Sequence, residues 1–328
     1  RLHRLRIPLT TPFRTAGGEV TEREVLLVEA LGQNGSGNPL SGWGEAAPFP
    51  GQDEPMEVLL SEATSGRFTT TLAAAVDQAE SDLAARLGGE PLANVAHAAV
   101  PVSMALGLTD PIARAEEAAQ RGVSRFKLKV APGQTDHVAA IRHVLPDALI
   151  GLDANRSFTD SEIGQLWGLA KHDITYIEEP FVTWDDRGAG RLAEAGIPLF
   201  ADESIARLDD VSRLLLLDAV DGVTIKPGRL GWTGALQAVE TARSLGKRWR
   251  ASGLLETGVG RSFTNLLAAH DDAFPSDVAP ASWFFEADVV DDRTVAGEIE
   301  VPAVPGTGVV PVRAVLDRYR VAEYELGA

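Results

Sequence analysis

Between Arg125 and Gly228 the chain reads RFKLKV (Arg125–Val130), LIGLDAN (Leu149–Asn155), ITYIEEP (Ile174–Pro180), IPLFADES (Ile197–Ser204) and DGVTIKPG (Asp221–Gly228). Each apolar run closes on an ionisable residue. These residues, Lys129, Asp153, Glu178, Asp202 and Lys226, lie 24, 25, 24 and 24 positions apart. That period has room for one strand, one helix and their loops, with one chemical group at the end of each strand.

The alternation continues on both sides, with HAAVPVS (His97–Ser103) before it and KRWRAS (Lys247–Ser252) after it. Helix-compatible segments such as Asp136–Val144 and Gly234–Leu245 fill the gaps. Repeated strand-helix units imply parallel strands joined by right-handed crossovers. Seven or eight of them favour a closed barrel over an open doubly wound sheet. The open sheet would carry a glycine-rich phosphate loop at its first crossover, and no G-x-G-x-x-G follows a strand here.

Outside this repeat the pattern changes. Leu2–Leu9 and Glu24–Leu31 read as strands, the turn NGSGN (Asn34–Asn38) follows, and then GWGEAAPFPG (Gly42–Gly51). Apolar residues at helical spacing follow in Glu57–Glu62 and Leu72–Leu87. Past Val301 the chain reads as strand and loop again, and a return to the N-terminal sheet is expected.

A chain of 328 residues with 45% apolar and 23% charged residues is an ordinary globular composition. The net charge of −17 disfavours nucleic acid and anionic membrane as partners, because a polyanion meets repulsion over most of the surface. A small anionic carboxylate substrate remains admissible where local cations override that field. The absence of cysteine removes disulfides, thiolate metal sites and thiol nucleophiles, and accords with a reducing, cytoplasmic setting. No apolar stretch reaches the roughly 20 residues of a membrane span, and RLHRLRIPLTTPF has no signal-like apolar region.

In a parallel barrel, functional groups gather at the C-terminal strand ends. Asp153, Glu178 and Asp202 on three consecutive strands would converge there. Their repulsion demands a shared proton or cation, and hard oxygen ligands without nearby Cys or His favour a magnesium-like ion. Singly, each acid also reads as a helix N-cap; three in register, flanked by lysines in register, point to one site. Lys127 and Lys129 alternate onto the barrel interior, while Phe126, Leu128 and Val130 face the helices. Two crowded ammonium groups should depress each other's pKa and yield a base near neutral pH. Lys226 should reach the same mouth from the opposite side of the ring. This set suits proton abstraction beside a carboxylate, a reaction that requires electrostatic stabilisation of the enediolate.

The K-x-K, LDAN, IEEP, ADES and TIKP motifs, in this order and spacing, resemble the enolase superfamily in its muconate-lactonising branch, over nearly the whole chain. The resemblance implies an α/β fold, a modified TIM (β/α)7β barrel with an α+β capping domain. The cap would span residues 1–95, the catalytic barrel 96–300, and a tail, 301–328, would pack back on the cap. It implies Lys129 as acid/base tuned by Lys127, Asp153, Glu178 and Asp202 as ligands of Mg2+ with Mn2+ as substitute, Lys226 as the opposite-face group, and Asn155 and Glu203 as supports. Glu178 is preferred over Glu179, because relatives with Gln in the second place keep the first acid.

Weaker motifs address the reaction. GWGEAAPFPG, ASGLLETGVGR (Ala251–Arg261) and SWFFEAD (Ser282–Asp288) resemble o-succinylbenzoate synthases, the second also N-succinylamino acid racemases. Ser252 and Gly253 would offer donors to a substrate carboxylate, although Gly42, Gly51 and Gly258 read equally well as ordinary loop glycines. The implied activity is syn-dehydration of 2-succinyl-6-hydroxy-2,4-cyclohexadiene-1-carboxylate to o-succinylbenzoate in menaquinone biosynthesis, with N-succinylamino acid racemisation as the alternative. Dipeptide epimerases carry a D-x-[DN] on strand eight, and only Glu286 and Asp288 have similar spacing here. Muconate cycloisomerisation ranks lower still, and mandelate-type chemistry would need a His on strand seven, where KRWRASG has none. A non-catalytic, metal-binding descendant of such a barrel would lack a base or a ligand, yet all five positions are filled.

Overall fold

The computed structural model describes residues 1–15, 18–184 and 188–326. The chain opens with β1 (Leu2–Thr15), β2 (Gly18–Gln33) and β3 (Pro39–Ala46), an antiparallel meander, then α1 (Met56–Ser65) and α2 (Thr71–Gly88). Gly42 and Gly44 are not loop glycines: they lie in β3, whose face presses on α2. A Cβ at Gly42 would strike the Ala79 carbonyl, and one at Gly44 the Ala75 carbonyl. The outer edge of β3 is covered by α2, since the Trp43 amide donates to Asp82 (2.9 Å) and the Glu45 amide to Gln78 (3.0 Å).

After β4 (Ala99–Pro101) the barrel follows in strict alternation. Its elements are β5 (Ser103–Leu106), α3 (Pro111–Gln120), β6 (Arg125–Lys129), α4 (Asp136–Val144), β7 (Leu149–Asp153), α5 (Ile163–Trp167) and β8 (Ile174–Glu178). They continue with α6 (Gly188–Ala193), β9 (Leu199–Ala201), α7 (Leu208–Leu215), β10 (Gly222–Ile225), α8 (Pro227–Ser244), β11 (Arg248–Ala251) and α9 (Gly258–Ala268). Strands β5 to β11 pair in chain order, all parallel. The segment Phe274–Val278 is the eighth stave. Its Phe274 and Asp277 amides donate to Trp249 (2.9 Å) and Ala251 (2.8 Å), and its Val278 carbonyl accepts from Ser103 (2.7 Å), so it bridges β11 to β5.

The run HAAVPVS does not supply the first barrel strand. Its middle is β4, which pairs with β13 (Glu298–Glu300), itself paired to β12 (Thr294–Val295), and the barrel strand begins only at Ser103. Pro101 lacks an amide and cannot donate within a central ladder, which suits it to this small side sheet. The chain ends in α10 (Arg313–Tyr319) and β14 (Arg320–Tyr324), which lies antiparallel on the free edge of β1.

Strand alternation sorts the barrel residues as the pleat requires. Phe126, Leu128, Ile150, Leu152, Ile177, Val223 and Ile225 are buried against the helices. Residues on the opposite face fill the interior, where Tyr176, Phe200 and Phe274 pack together, the last two stacked at 5.0 Å. The cap sits on the connections after β10 and β11. Gln78 donates to the Pro227 carbonyl (2.9 Å), Asp77 accepts from Thr233, and the buried Arg23 donates to Leu254 and Leu255 carbonyls as well as to Ala47 and Pro48. Among the described residues no helix is long and apolar enough to cross a membrane.

Candidate active site

The five strand-end groups come from the ends of five consecutive staves, β6 to β10. Lys129, Asp153 and Glu178 stand side by side in register, Lys129 opposite Asp153 and Asp153 opposite Glu178. Asp202 follows β9 directly, and Lys226 follows β10 at the start of α8. Strands β6 and β10 are second and sixth in an eight-stave ring, so Lys129 and Lys226 face each other across it.

The three lysines differ in what they touch. Lys127 Nζ sits among Asp277 (2.8 Å), Glu178 (3.0 Å) and Asp153 (3.4 Å). Burial alone would lower its pKa; Asp277, Glu178, Asp153 and Asp202 overcome that and hold it well above the ordinary lysine value. The expected mutual depression of the two lysines therefore does not apply to Lys127, whose nearest charges are carboxylates. Lys226 is ion-paired with Asp202. Lys129 is half-buried, and among the described residues its ammonium has no hydrogen bond or ion pair.

Glu178 is fully buried. Arg250 and Thr224 both donate to Oε1, and Lys127 to Oε2. Burial works against its charge, but Arg250, Lys127 and the Thr224 hydroxyl drive its pKa far below the usual carboxylate range. Glu179 turns elsewhere: it accepts from the Asp202 amide (2.7 Å), Arg156 (3.1 Å), Trp184 (3.3 Å) and the Ser204 hydroxyl, tying together the loops after β7, β8 and β9.

Asn155 donates to Glu203 Oε1 (2.8 Å), and its amide to Asp153 (3.2 Å). Burial, then Asp202 and Asp153, push the Glu203 carboxyl up to about 7, and burial raises Asp153 as well. Among the described residues, Glu203 Oε2 and Asn155 Oδ1 are buried without a hydrogen-bond partner. An orphaned carboxylate oxygen among acids that repel one another fits a cation, and the all-oxygen donor set fits a hard one. As the side chains stand, no group of three Asp, Glu, His or Cys residues among those described is arranged to hold a metal ion; the acids lean onto Lys127 and Lys226 instead.

Ser252 is buried with its donors engaged, its amide on Ile225 (3.1 Å) and its hydroxyl on Asp277 (3.3 Å). Gly253 abuts the Glu256 carboxylate, which a Cβ would meet at 2.6 Å. Three residues at the site carry no sequence signal of their own. Asp277 lies in a stave too weakly apolar to read as a strand, and Thr224 and Arg250, paired in register, each sit one inward position below the strand-end residues Lys226 and Ser252.

A parallel eight-stave barrel with acids on three consecutive strand ends and lysines on either side defines the class, a barrel enzyme of the enolase kind. Residues 110–315 match the family described as enolase C-terminal domain-like, and the chain belongs to it, within the enolase superfamily. It is 28% identical to an N-succinylamino acid racemase of Amycolatopsis, covering 100% of this chain and 98% of that one. It is also 28% identical to an o-succinylbenzoate synthase of Geobacillus stearothermophilus, covering 97% and 94%. A solved structure described as a probable mandelate racemase from Alicyclobacillus acidocaldarius superposes with a TM-score of 0.85 at 28% identity, over 98% and 96% of the two chains.

Proposed function

We propose that the protein is an o-succinylbenzoate synthase, a dehydratase of menaquinone biosynthesis acting in the cytoplasm on a small anionic carboxylate. The observation that carries this reading is the asymmetry of the lysines: Lys129 has no ion pair among the described residues, while Lys226 is paired with Asp202. A dehydratase needs one base and one fixed cation. Asp153, Glu178 and Asp202 would hold a magnesium ion, with manganese as substitute, supported by Asn155 and Glu203. When bound, that ion supplies positive charge where the substrate carboxylate gains electron density.

Lys129 Nζ takes the proton beside the carboxylate of 2-succinyl-6-hydroxy-2,4-cyclohexadiene-1-carboxylate. Lys127, held charged by Asp277, Glu178 and Asp153, is not available as a base and leaves that role to Lys129. The Lys226 ammonium faces the developing dienolate from the opposite stave. Protonated Lys129 then returns its proton to the departing hydroxyl on the same face, water leaves, and the ring becomes aromatic.

A second reading, N-succinylamino acid racemisation, is favoured by the same facing placement of Lys129 and Lys226 and by the full-length relative of that name. Racemisation uses both lysines as bases, one for each enantiomer. Steady-state kinetics on both substrates separate the two: the dehydratase reading expects a far higher kcat/KM on the cyclohexadiene, and comparable values would overturn single function. Lys129→Ala is expected to lower dehydration about 10²–10⁴-fold; substantial retained turnover would remove Lys129 from the role of base.

A further inference from the structure

Arg250 is completely buried inside the barrel, on an inward position of β11, and the chemistry above assigns it nothing. A buried guanidinium carries a desolvation cost that an apolar side chain of similar size would avoid. It is held on three sides. Nη1 donates to Glu178 Oε1, Nε donates to the Pro275 carbonyl (2.9 Å), and the planar group lies over the Tyr176 ring at 4.2 Å. It is thus tied to the eighth stave, to β8 and to its own strand, so it cannot follow Glu178 if that side chain moves.

The consequence appears in the lone pairs of Glu178. A carboxylate has about four acceptor sites, two on each oxygen. Both sites of Oε1 are taken, by Arg250 and by Thr224. Oε2 accepts from Lys127 (3.0 Å) and keeps one.

We infer that Arg250 is a positioning residue that commits Glu178 to bind a divalent cation through Oε2 alone. This rests on the reading of Glu178 as a cation ligand. Lysine could not replace the arginine fully, because a point charge lacks the planar fork that reaches Glu178 and Pro275 together and stacks on Tyr176.

The positioning role and a plain charge effect predict opposite signs. Removing a cation beside a metal site should tighten metal binding through space, whereas releasing Glu178 from its fixed pose should weaken it. The probe is Mn2+ alone, titrated into the metal-free full chain and followed through the paramagnetic resonance signal of free Mn2+. Arg250→Met is expected to weaken binding tenfold or more, and Arg250→Lys, which keeps the charge and loses the fork, several-fold. Thermal unfolding is recorded in parallel. A lower midpoint with wild-type Mn2+ affinity would make Arg250 merely structural, and tighter binding would make it merely repulsive; either overturns the inference. Should Arg250→Met fail to fold, Arg250→Lys decides, since unchanged affinity in that variant is equally fatal. Failure of wild type to bind Mn2+, or equal binding by wild type and Glu178→Gln, would instead overturn the ligand role of Glu178.

Discussion

Lys127 shows how partners rather than residue type set a side chain's role. It and Lys129 lie two positions apart on one strand face, yet Lys127 is enclosed by Asp277, Glu178 and Asp153, while Lys129 has no ion pair among the described residues. Replacing Lys127 by Met would take from Asp153 and Asp277 their ion-pair partner, while Glu178 keeps Arg250. The expected loss of stability is about 3–5 kcal/mol. Urea unfolding should show it, with part of the loss restored by Mg2+; a variant as stable as wild type would mean that the acids are compensated elsewhere. The five strand-end groups were legible in the sequence because each closes an apolar run. Arg250, Thr224 and Asp277 were not, because their significance comes from barrel closure, which brings residues 46, 72 and 150 positions apart onto Glu178 and Lys127.

At the scale of elements, the repeat of strand and helix was legible from period alone, and what escaped it was interrupted or short. HAAVPVS contains a proline and was divided between two sheets. Phe274–Val278 is too short and polar to announce itself, although its ladder partners on both sides make it a stave. Gly42 reads equally well as a loop glycine from sequence alone, whereas it lies in a strand laid against a helix at backbone contact. Gly44→Ala tests that packing: the added methyl meets the Ala75 carbonyl, which belongs to the backbone of α2 and cannot rotate away. Overpacking of this kind costs about 1–3 kcal/mol or more. A lowered unfolding midpoint, with barrel secondary structure retained in the far ultraviolet, is expected, and an unchanged midpoint would show that β3 and α2 can separate freely.

For the whole molecule, the junction of cap and barrel contains a titrating group. Glu45 on β3 reaches the start of α9, where it accepts from the Thr257 amide (2.8 Å), the Thr257 hydroxyl (2.6 Å) and the Gly260 amide (2.8 Å). Burial outweighs these donors, and with Glu256 nearby the carboxyl is pushed from 4.5 up to about 7. The native state then holds this proton more tightly than the unfolded chain does. The stability it contributes is therefore full below pH 4.5 and is lost as pH rises through about 7, on the order of 3 kcal/mol. Comparing urea midpoints of wild type and Glu45→Gln across this range should show the variant lacking that decline; parallel curves would count against the raised pKa.

The pairing of β14 with β1 also has a bearing on synthesis. Leu2 lies opposite Tyr324, so β1 finds its outer neighbour only 322 residues further along the chain. On the ribosome, β1 to β3 can form their meander early, but β1 then presents a long unpaired edge of the sort that recruits other chains. The barrel can assemble meanwhile from its local strand-helix units. A strand translated late thus seals one translated early, and a nascent chain stalled before β14 would be open to aggregation at the exposed edge of β1.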